Sequence, residues 1–256
     1  MNKNEQKEVR KMAFTERQDE ILKILKGNKR AGVTELSKLL FVSEATIRRD
    51  LSEMQSMGLV ERSHGGARLP DNSEEISMFF RMEKNATEKE RLATKALPYI
   101  PPFKSVFIDS SSTAFALSER MELSGKTVVT NSLQAAIQLS KKPNVTLVLL
   151  GGTVQFNTTS STGSWTARQL GDFNFDLMIS SCSAVQGGVA YERSLDTREI
   201  KRKAFERSSK RMLLIDHTKF FAHGTYAFEP LSSYDLVCTD APPPLVYDDG
   251  SIKFIY

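Results

Sequence analysis

The stretch "SEATIRRDLSEM", Ser43–Met54, places two adjacent arginines in a segment whose apolar residues, Ile47, Leu51 and Met54, recur at i, i+4 and i+7. That spacing marks one buried face of a helix. Arg48 and Arg49 point away from the stripe or along its edge, and Ser43 is of a helix-capping type. A helix of this kind can lie in the DNA major groove with its N-terminal residues on base edges. Arginine suits guanine, because its planar fork donates two hydrogen bonds, to O6 and N7. Glu44 can accept from a cytosine amino group, Thr46 can meet a thymine methyl or a phosphate, and Ser43 can donate to phosphate. Asp50 would repel phosphate and is expected to orient an arginine instead. A pair of solvated helix charges is the plainer alternative.

The flanking sequence completes a module. Thr15-Glu16-Arg17-Gln18 fits a capping box and opens a helix carrying Ile21, Leu22 and Leu25, which stops near Gly27-Asn28. Thr34 is expected to cap a second short helix with Leu36, Leu39 and Leu40, and is counted among the DNA-facing residues. Phe41-Val42-Ser43 reads as the tight turn, and Gly58 as the end of the third helix. Leu59–Leu69 then reads as a hairpin around Gly65-Gly66. Three helices and a hairpin make a winged helix-turn-helix. Arg62, His64 and Arg68 in the hairpin suit phosphate or minor-groove contacts, with a structural role as the alternative for His64.

Charge follows the same division. The chain has 256 residues, 35 basic and 31 acidic. Residues 1–70 hold 14 basic and 10 acidic side chains, leaving 21 of each in the remainder. The excess positive charge therefore sits in the first quarter, as expected of a polyanion-binding module on a neutral body, or of a solvated basic surface. "MNKNEQKEVRKM" lacks the apolar core of a secretory signal, and runs such as "VTLVLL" (145–150) are too short to span a bilayer. Cys182 and Cys238 are isolated in apolar segments, and His64, His217 and His223 lack metal-ligand spacing. The expectations are a cytoplasmic protein without membrane contact, metal or cofactor.

"PDNSEE", 70–75, is polar and reads as part of a linker over 70–78, between a tail and winged module at 1–69 and a second domain at 79–256. In that domain "SVFID", "TVVT", "VTLVLLGG", "FDLMISS", "RMLLID" and "DLVCTD" are strand-like, and amphipathic helices are expected at 113–121, 133–141 and 197–208. The alternation predicts an α/β, doubly wound, mostly parallel, Rossmann-like sheet, with ligand beyond the carboxyl ends of the strands. Asp109 ends one strand, and Ser110, Ser111, Ser112 and Thr113 can cradle a phosphate at a helix start. Thr130, Asn131 and Ser132 repeat the arrangement. Gly151 and Gly152 permit close backbone approach. Asp216 and Lys219 follow another strand, and Lys219 offers a point charge. Ser and Thr are also common caps, so local sequence leaves capping and phosphate binding both open.

"VSEATIRRDL" followed by "HGGA" resembles the DNA-binding module of the DeoR family of bacterial transcription regulators. "FIDSSSTA", "VVTNSL", "LGGT", "REIKRKA", "LLIDHTKF" and "CTD" resemble successive landmarks of its sensor domain, over roughly residues 15–240. The resemblance implies a regulator, usually a repressor, of carbohydrate metabolism genes. It implies binding to double-stranded operator DNA as a homodimer or homotetramer, and a sensor fold similar to ribose-5-phosphate isomerase that binds a phosphorylated sugar or related metabolite. The chain departs from the family pattern at Ser111, where the pattern has glycine, and at Ala114, where it has a hydroxyl residue. A side chain at Ser111 is expected to crowd the phosphate or redirect the loop.

Related isomerases carry an acidic pair after the middle strand, whereas "SSCSAVQGGVAYE", 180–192, has no aspartate pair. Glu199, on the next helix, is the acid that can face the pocket. A sensor without turnover is expected. The alternatives are a DNA-tethered sugar-phosphate isomerase and a regulator that has lost its ligand.

Overall fold

The computed structural model describes residues 16–56, 59–63, 65–69, 77–247, 250 and 252–256. Thr15, Gly58, His64 and the linker stretch 70–76 lie outside the described residues. Chain contacts separate two compact units, Met1–Phe80 and Arg81–Tyr256.

The first unit contains α1 (Glu16–Asn28), β1 (Arg30–Gly32), α2 (Val33–Leu39), α3 (Glu44–Ser56), β2 (Glu61–Ser63) and β3 (Gly66–Arg68). α3 buries Ile47, Leu51 and Met54 as its period requires, and they pack with Ile21, Leu25, Leu36 and Leu59. Each fully buried Leu or Ile contributes at most roughly 1.5–3 kcal/mol. The hairpin forms with Arg62 opposite Ala67 and Ser63 opposite Gly66.

Three sequence expectations need correction here. The wing sheet has a third strand, β1, paired antiparallel with β3 in the order β1-β3-β2. β1 runs straight into α2, so Gly32 rather than Thr34 is the cap. The Gly32 N–H donates to Glu35 Oε2 at 3.2 Å, and the Val33 N–H donates to the Gly65 carbonyl at 2.7 Å. Thr34 falls within the first turn. Of the apolar residues expected to carry α2, only Leu36 is buried; Leu39 is exposed and Leu40 half-buried. Gly66 has a steric reason: a Cβ there would stand 2.3 Å from the Ala31 carbonyl oxygen on β1.

The second unit is α/β. After α4 (Met78–Glu83), which straddles the division, come α5 (Ala86–Ala96), β4 (Ser105–Ile108), α6 (Ser112–Ser118), β5 (Thr127–Thr130), α7 (Leu133–Leu139), β6 (Thr146–Leu149), β7 (Thr153–Gln155), β8 (Ser160–Thr162), α8 (Ser164–Gln169), β9 (Phe175–Ser181), β10 (Ala184–Gln186), β11 (Val189–Glu192), α9 (Leu195–Glu206), β12 (Ser208–Ile215), β13 (Tyr226–Pro230), β14 (Leu236–Thr239) and β15 (Phe254–Ile255). Seven strands form one sheet in the order β15-β14-β12-β9-β4-β5-β6, with every pairing parallel. α5, α6 and α7 form one helical layer; α8 and α9 pack together in the other. Phe107, Val129, Phe175 and Met178 fill the core beneath α8 and α9.

The chain winds outward from β4 toward β6, then returns to β9 and winds the other way. The order therefore reverses between β4 and β9, and the region beyond the carboxyl ends at such a reversal is where open α/β sheets bind ligands. A three-stranded antiparallel sheet, β10-β11-β13, and the β7-β8 hairpin are additions to this frame. Among the described residues no helix is long and apolar enough to cross a membrane.

Candidate functional sites: the recognition helix and the strand-end cluster

α3 presents its charged side outward. Ser43 Oγ accepts the Thr46 N–H at 3.2 Å, which starts the helix. Glu44 is held from two sides: Thr34 Oγ1 donates to Oε1 at 2.6 Å and Arg48 Nη2 to Oε2 at 2.6 Å. Those hydrogen bonds, from Thr34 first and then Arg48, hold the Glu44 carboxyl below the usual carboxylate range. Arg49 is 80% exposed, with Glu53 at 3.6 Å. Asp50 is buried and forms a two-pronged ion pair with Arg17 of α1, Arg17 Nη2 donating to Oδ1 at 3.0 Å. That pair ties α3 to the module core and leaves Arg48 and Arg49 on the open side.

On the wing, Arg62 is exposed, and Arg68 pairs with Glu61 at 2.6 Å. Arg30 stands opposite Arg68 in the β1–β3 register, a cation the sequence did not single out because β1 was not foreseen. His64 lies outside the described residues.

In the second unit charged side chains gather at the β4/β9 reversal. Asp109, at the end of β4, is buried. Its Oδ1 accepts the Ser111 N–H at 2.9 Å, and its Oδ2 accepts the Ser180 hydroxyl at 2.7 Å and the Ser181 N–H at 3.2 Å. Lys201 Nζ, from α9, lies 2.9 Å from Asp109 Oδ2 and 2.7 Å from Glu192 Oε1, and donates to the Ser181 carbonyl at 2.7 Å. Burial alone would raise the Asp109 carboxyl. The Lys201 charge and the Ser111 and Ser180 hydrogen bonds outweigh it and hold the group below its ordinary value. For Lys201, burial works against the charge, yet Asp109 and Glu192 hold the ammonium above its ordinary pKa.

Beside this triad sits a group of cations. Arg81 Nη2 reaches the Ser110 carbonyl at 3.5 Å, while its buried Nε has no partner among the described residues. Lys89 is buried and donates to the Lys84 carbonyl at 2.6 Å and to the Arg81 carbonyl. Burial, reinforced by Lys219, Arg81 and Lys84, lowers the Lys89 ammonium to about 7. Burial likewise lowers Lys219, with Arg193 and Arg81 adding to the effect and Asp216 opposing it. Asp216 Oδ1 accepts from Asn85 Nδ2 at 3.3 Å and the Thr218 N–H at 3.2 Å, whereas its buried Oδ2 has no partner among the described residues. Desolvated cations held close together are stabilised by an anion.

The structure thus brings Asp109, the 110–113 loop, Asp216 and Lys219 into one charged cluster. Ser111 is the cap of α6, with φ −80°, and its Oγ accepts the Ala114 N–H at 3.1 Å. The backbone there does not call for glycine. The helix accordingly begins at Ser112. Thr130 Oγ1 accepts the Ser132 N–H at 3.0 Å, and Ser132 caps α7. Asn131 Nδ2 donates to the Ser161 carbonyl at 3.1 Å, and its buried Oδ1 has no partner among the described residues.

Other expected residues have different duties. Gly151 is bonded to α8, its N–H donating to Gln169 Oε1 at 3.1 Å and its carbonyl accepting from Thr166 Oγ1 at 2.8 Å. Gly152 sits at φ +149°, where a Cβ would meet Thr166 Oγ1 at 2.0 Å. The close approach at this pair is therefore made by α8. Glu199 lies on the exposed side of α9, paired with Arg198 at 2.8 Å. Lys201 occupies the inner face with Ile200 and Ala204. Arg81, Asn85, Lys89, Glu192 and Lys201 were not among the expected site residues. The α9 stripe was the available signal for Lys201, which stands three residues before Ala204. Among the described residues no three His, Cys, Asp or Glu side chains gather as a metal site.

Both geometries have counterparts in one family. Residues 17–73 match the DeoR-like helix-turn-helix domain and residues 84–241 the DeoR C-terminal sensor domain. The chain belongs to the DeoR family of transcriptional regulators. It is 34% identical over 229 residues to the HTH-type transcriptional regulator GolR of Listeria innocua, covering 88% of this chain and 90% of that protein. It is 33% identical over 236 residues to the glycerol-3-phosphate regulon repressor of Escherichia coli, covering 91% and 94%. A ribose-5-phosphate isomerase from Methanocaldococcus jannaschii superposes with 13% identity over 53% of this chain and 54% of its own, at a TM-score of 0.38, too low to carry weight. In this DeoR-family protein α3 belongs to the helix-turn-helix domain, and the sensor domain holds the β4/β9 cluster.

Proposed function

We propose that this DeoR-family regulator is a repressor of carbohydrate metabolism genes whose hold on operator DNA is modulated by a phosphorylated sugar or related metabolite. Residues 1–69 read DNA, 70–78 link, and 79–256 sense and hold subunits together. The DNA-facing set is Thr34, Ser43, Glu44, Thr46, Arg48, Arg49, Arg62, His64 and Arg68, to which β1 adds Arg30. The effector set is centred on Asp109, the 110–113 loop, Asn131, Asp216 and Lys219, with Arg81 and Lys89. One observation carries the reading: a helix with outward arginines shares a chain with a buried cation cluster at the sheet's reversal point. The name of the Escherichia coli relative, a glycerol-3-phosphate regulon repressor, supports both the sign of regulation and a phosphorylated effector.

The cluster binds its effector without turnover. Isomerisation needs a carboxylate free to take a proton from the substrate; Asp109 and Glu192 are committed to Lys201, Asp216 lends one oxygen to Asn85 and Thr218, and the relatives GolR and the glycerol-3-phosphate regulon repressor are regulators by name. The test is operator binding by fluorescence anisotropy with glycerol 3-phosphate, ribose 5-phosphate, glucose 6-phosphate and fructose 1-phosphate. One of them should shift the operator affinity and emerge chemically unchanged. Loss of response in Lys219→Ala with intact DNA binding supports the assignment; a fully responsive Lys219→Ala variant refutes it.

A further inference from the structure

The two edges of the parallel sheet are built differently. β15 spans two residues and follows Lys253. A short strand beside a charge is a common way to keep a sheet edge from pairing with another chain. β6 has no such guard. Thr146-Leu147-Val148-Leu149 contains no charge, proline or glycine, and no bulge breaks its register with β5.

That register fixes where the backbone groups of β6 point. The Thr146 and Leu150 N–H groups donate inward, to the Lys126 and Thr130 carbonyls. By alternation, Leu147 and Leu149 turn their N–H and C=O groups outward. Exposed apolar side chains stand nearby. Leu149 is 45% exposed, and α7, which packs on β6, carries no charged residue and leaves Ile137 exposed. Trp165 on α8, beside Gly151 just past the strand, is 61% exposed and holds the Arg168 guanidinium over its ring at 5.1 Å.

We propose that β6 is a subunit interface: it pairs antiparallel with β6 of a second copy of this chain, about a two-fold axis through Val148. Leu147 and Leu149 are equidistant from that axis, so Leu147 of one copy exchanges both backbone hydrogen bonds with the partner's Leu149, and the reverse. A strand whose outward residues are related in this way is complementary to itself, as a two-fold interface requires. The β6 and α7 segments carry no charged residue and so set no like charges of their own against each other across the axis. The pairing also supplies the two-fold symmetry with which helix-turn-helix proteins meet paired half-sites. It stands on the sheet edge and does not depend on the effector reading.

The test uses the full chain in light scattering coupled to size exclusion at micromolar concentration. Leu149→Pro removes an outward N–H and leaves the inward bonds intact; Leu149→Lys places a charge in the proposed contact. Both variants should show half the wild-type mass or less, with the wild-type circular dichroism spectrum. Val148→Cys gives a second readout. Directly opposed residues at such a position approach to about 4.5 Å between Cα atoms, within disulfide reach. Mild oxidation should give a covalent dimer, with the buried Cys182 and Cys238 contributing nothing in the wild type. A wild-type chain that stays monomeric overturns the proposal. So does an oligomer whose mass neither Leu149 variant changes and that Val148→Cys does not cross-link.

Discussion

Lys201 Nζ stands 2.9 Å from Asp109 Oδ2, with both side chains buried at the point where the sheet reverses its strand order. Removing one member leaves a buried charge without its counter-ion. Lys201→Met should therefore destabilise the sensor unit by about 3–5 kcal/mol in denaturant unfolding. The double variant Lys201→Met/Asp109→Asn should recover part of that loss, because only Glu192 is then left without its counter-ion.

The same pair sets a pH window. Asp109 is depressed in the folded state, so its stabilisation is complete above its unfolded value near 3.9 and is lost as pH falls through the folded value. Lys201 is raised, so its contribution is complete below about 10.4 and is lost as pH rises beyond. Chemical unfolding should show a plateau between these limits with acid and alkaline losses on either side. Lys201→Met should remove the alkaline loss due to this pair.

Lys89 predicts a proton linked to effector binding. Burial first, and then its cationic neighbours, lower the ammonium to about 7, so much of it is neutral at pH 8. An anion entering the cluster favours the charged form and draws in a proton. Calorimetric titration at pH 8, in two buffers of different ionisation enthalpy, should show net proton uptake with the responding sugar phosphate. Lys89→Met should reduce the buffer dependence, leaving the part carried by Lys219.

Arg48 and Arg49 should be separable from the wing. Arg49→Ala and Arg48→Ala should each lose about 1–3 kcal/mol of discrimination at one base pair. Arg62→Ala should weaken all duplexes similarly and lower the salt slope by about 1. Competition binding on operator and scrambled duplexes at several salt concentrations distinguishes the two behaviours.

Phe41 follows α2 in the left-handed region, at φ +53°, with its side chain 94% exposed. The Val42 N–H reaches the Ser37 carbonyl at 3.1 Å, the closure that usually employs glycine. Phe41→Gly gives up little packing and relieves a steric cost of roughly 1–2 kcal/mol. Its thermal midpoint should rise.

Which residues the sequence revealed follows from how each is held. α3 was legible because Ile47, Leu51 and Met54 form an uninterrupted apolar stripe. The parallel strands were legible because strands covered on both faces read as continuous apolar runs. β1 was not, because three residues, Arg30–Gly32, carry no period and owe their conformation to β3. Arg81 and Lys89 lie in "RMEKNATEKER", 81–91, which reads as a solvated charged face. Their burial comes from packing against strand ends far along the chain, as the Arg81 contact with Ser110 and the Asn85 contact with Asp216 illustrate. Glu199 drew notice as an acid, yet the helical phase turns it outward and carries Lys201 in.

The central claim is that α3 reads DNA and the β4/β9 cluster reports a phosphorylated metabolite to it. Its most direct test is anisotropy of a labelled duplex from the protein's own upstream region, with scrambled competitor, for wild type and Arg49→Ala, with and without the sugar-phosphate panel. The account predicts sequence-selective binding by the wild type, a shift in affinity with one phosphate, and lost selectivity in Arg49→Ala. Equal affinity for the upstream and scrambled duplexes under every condition would contradict it.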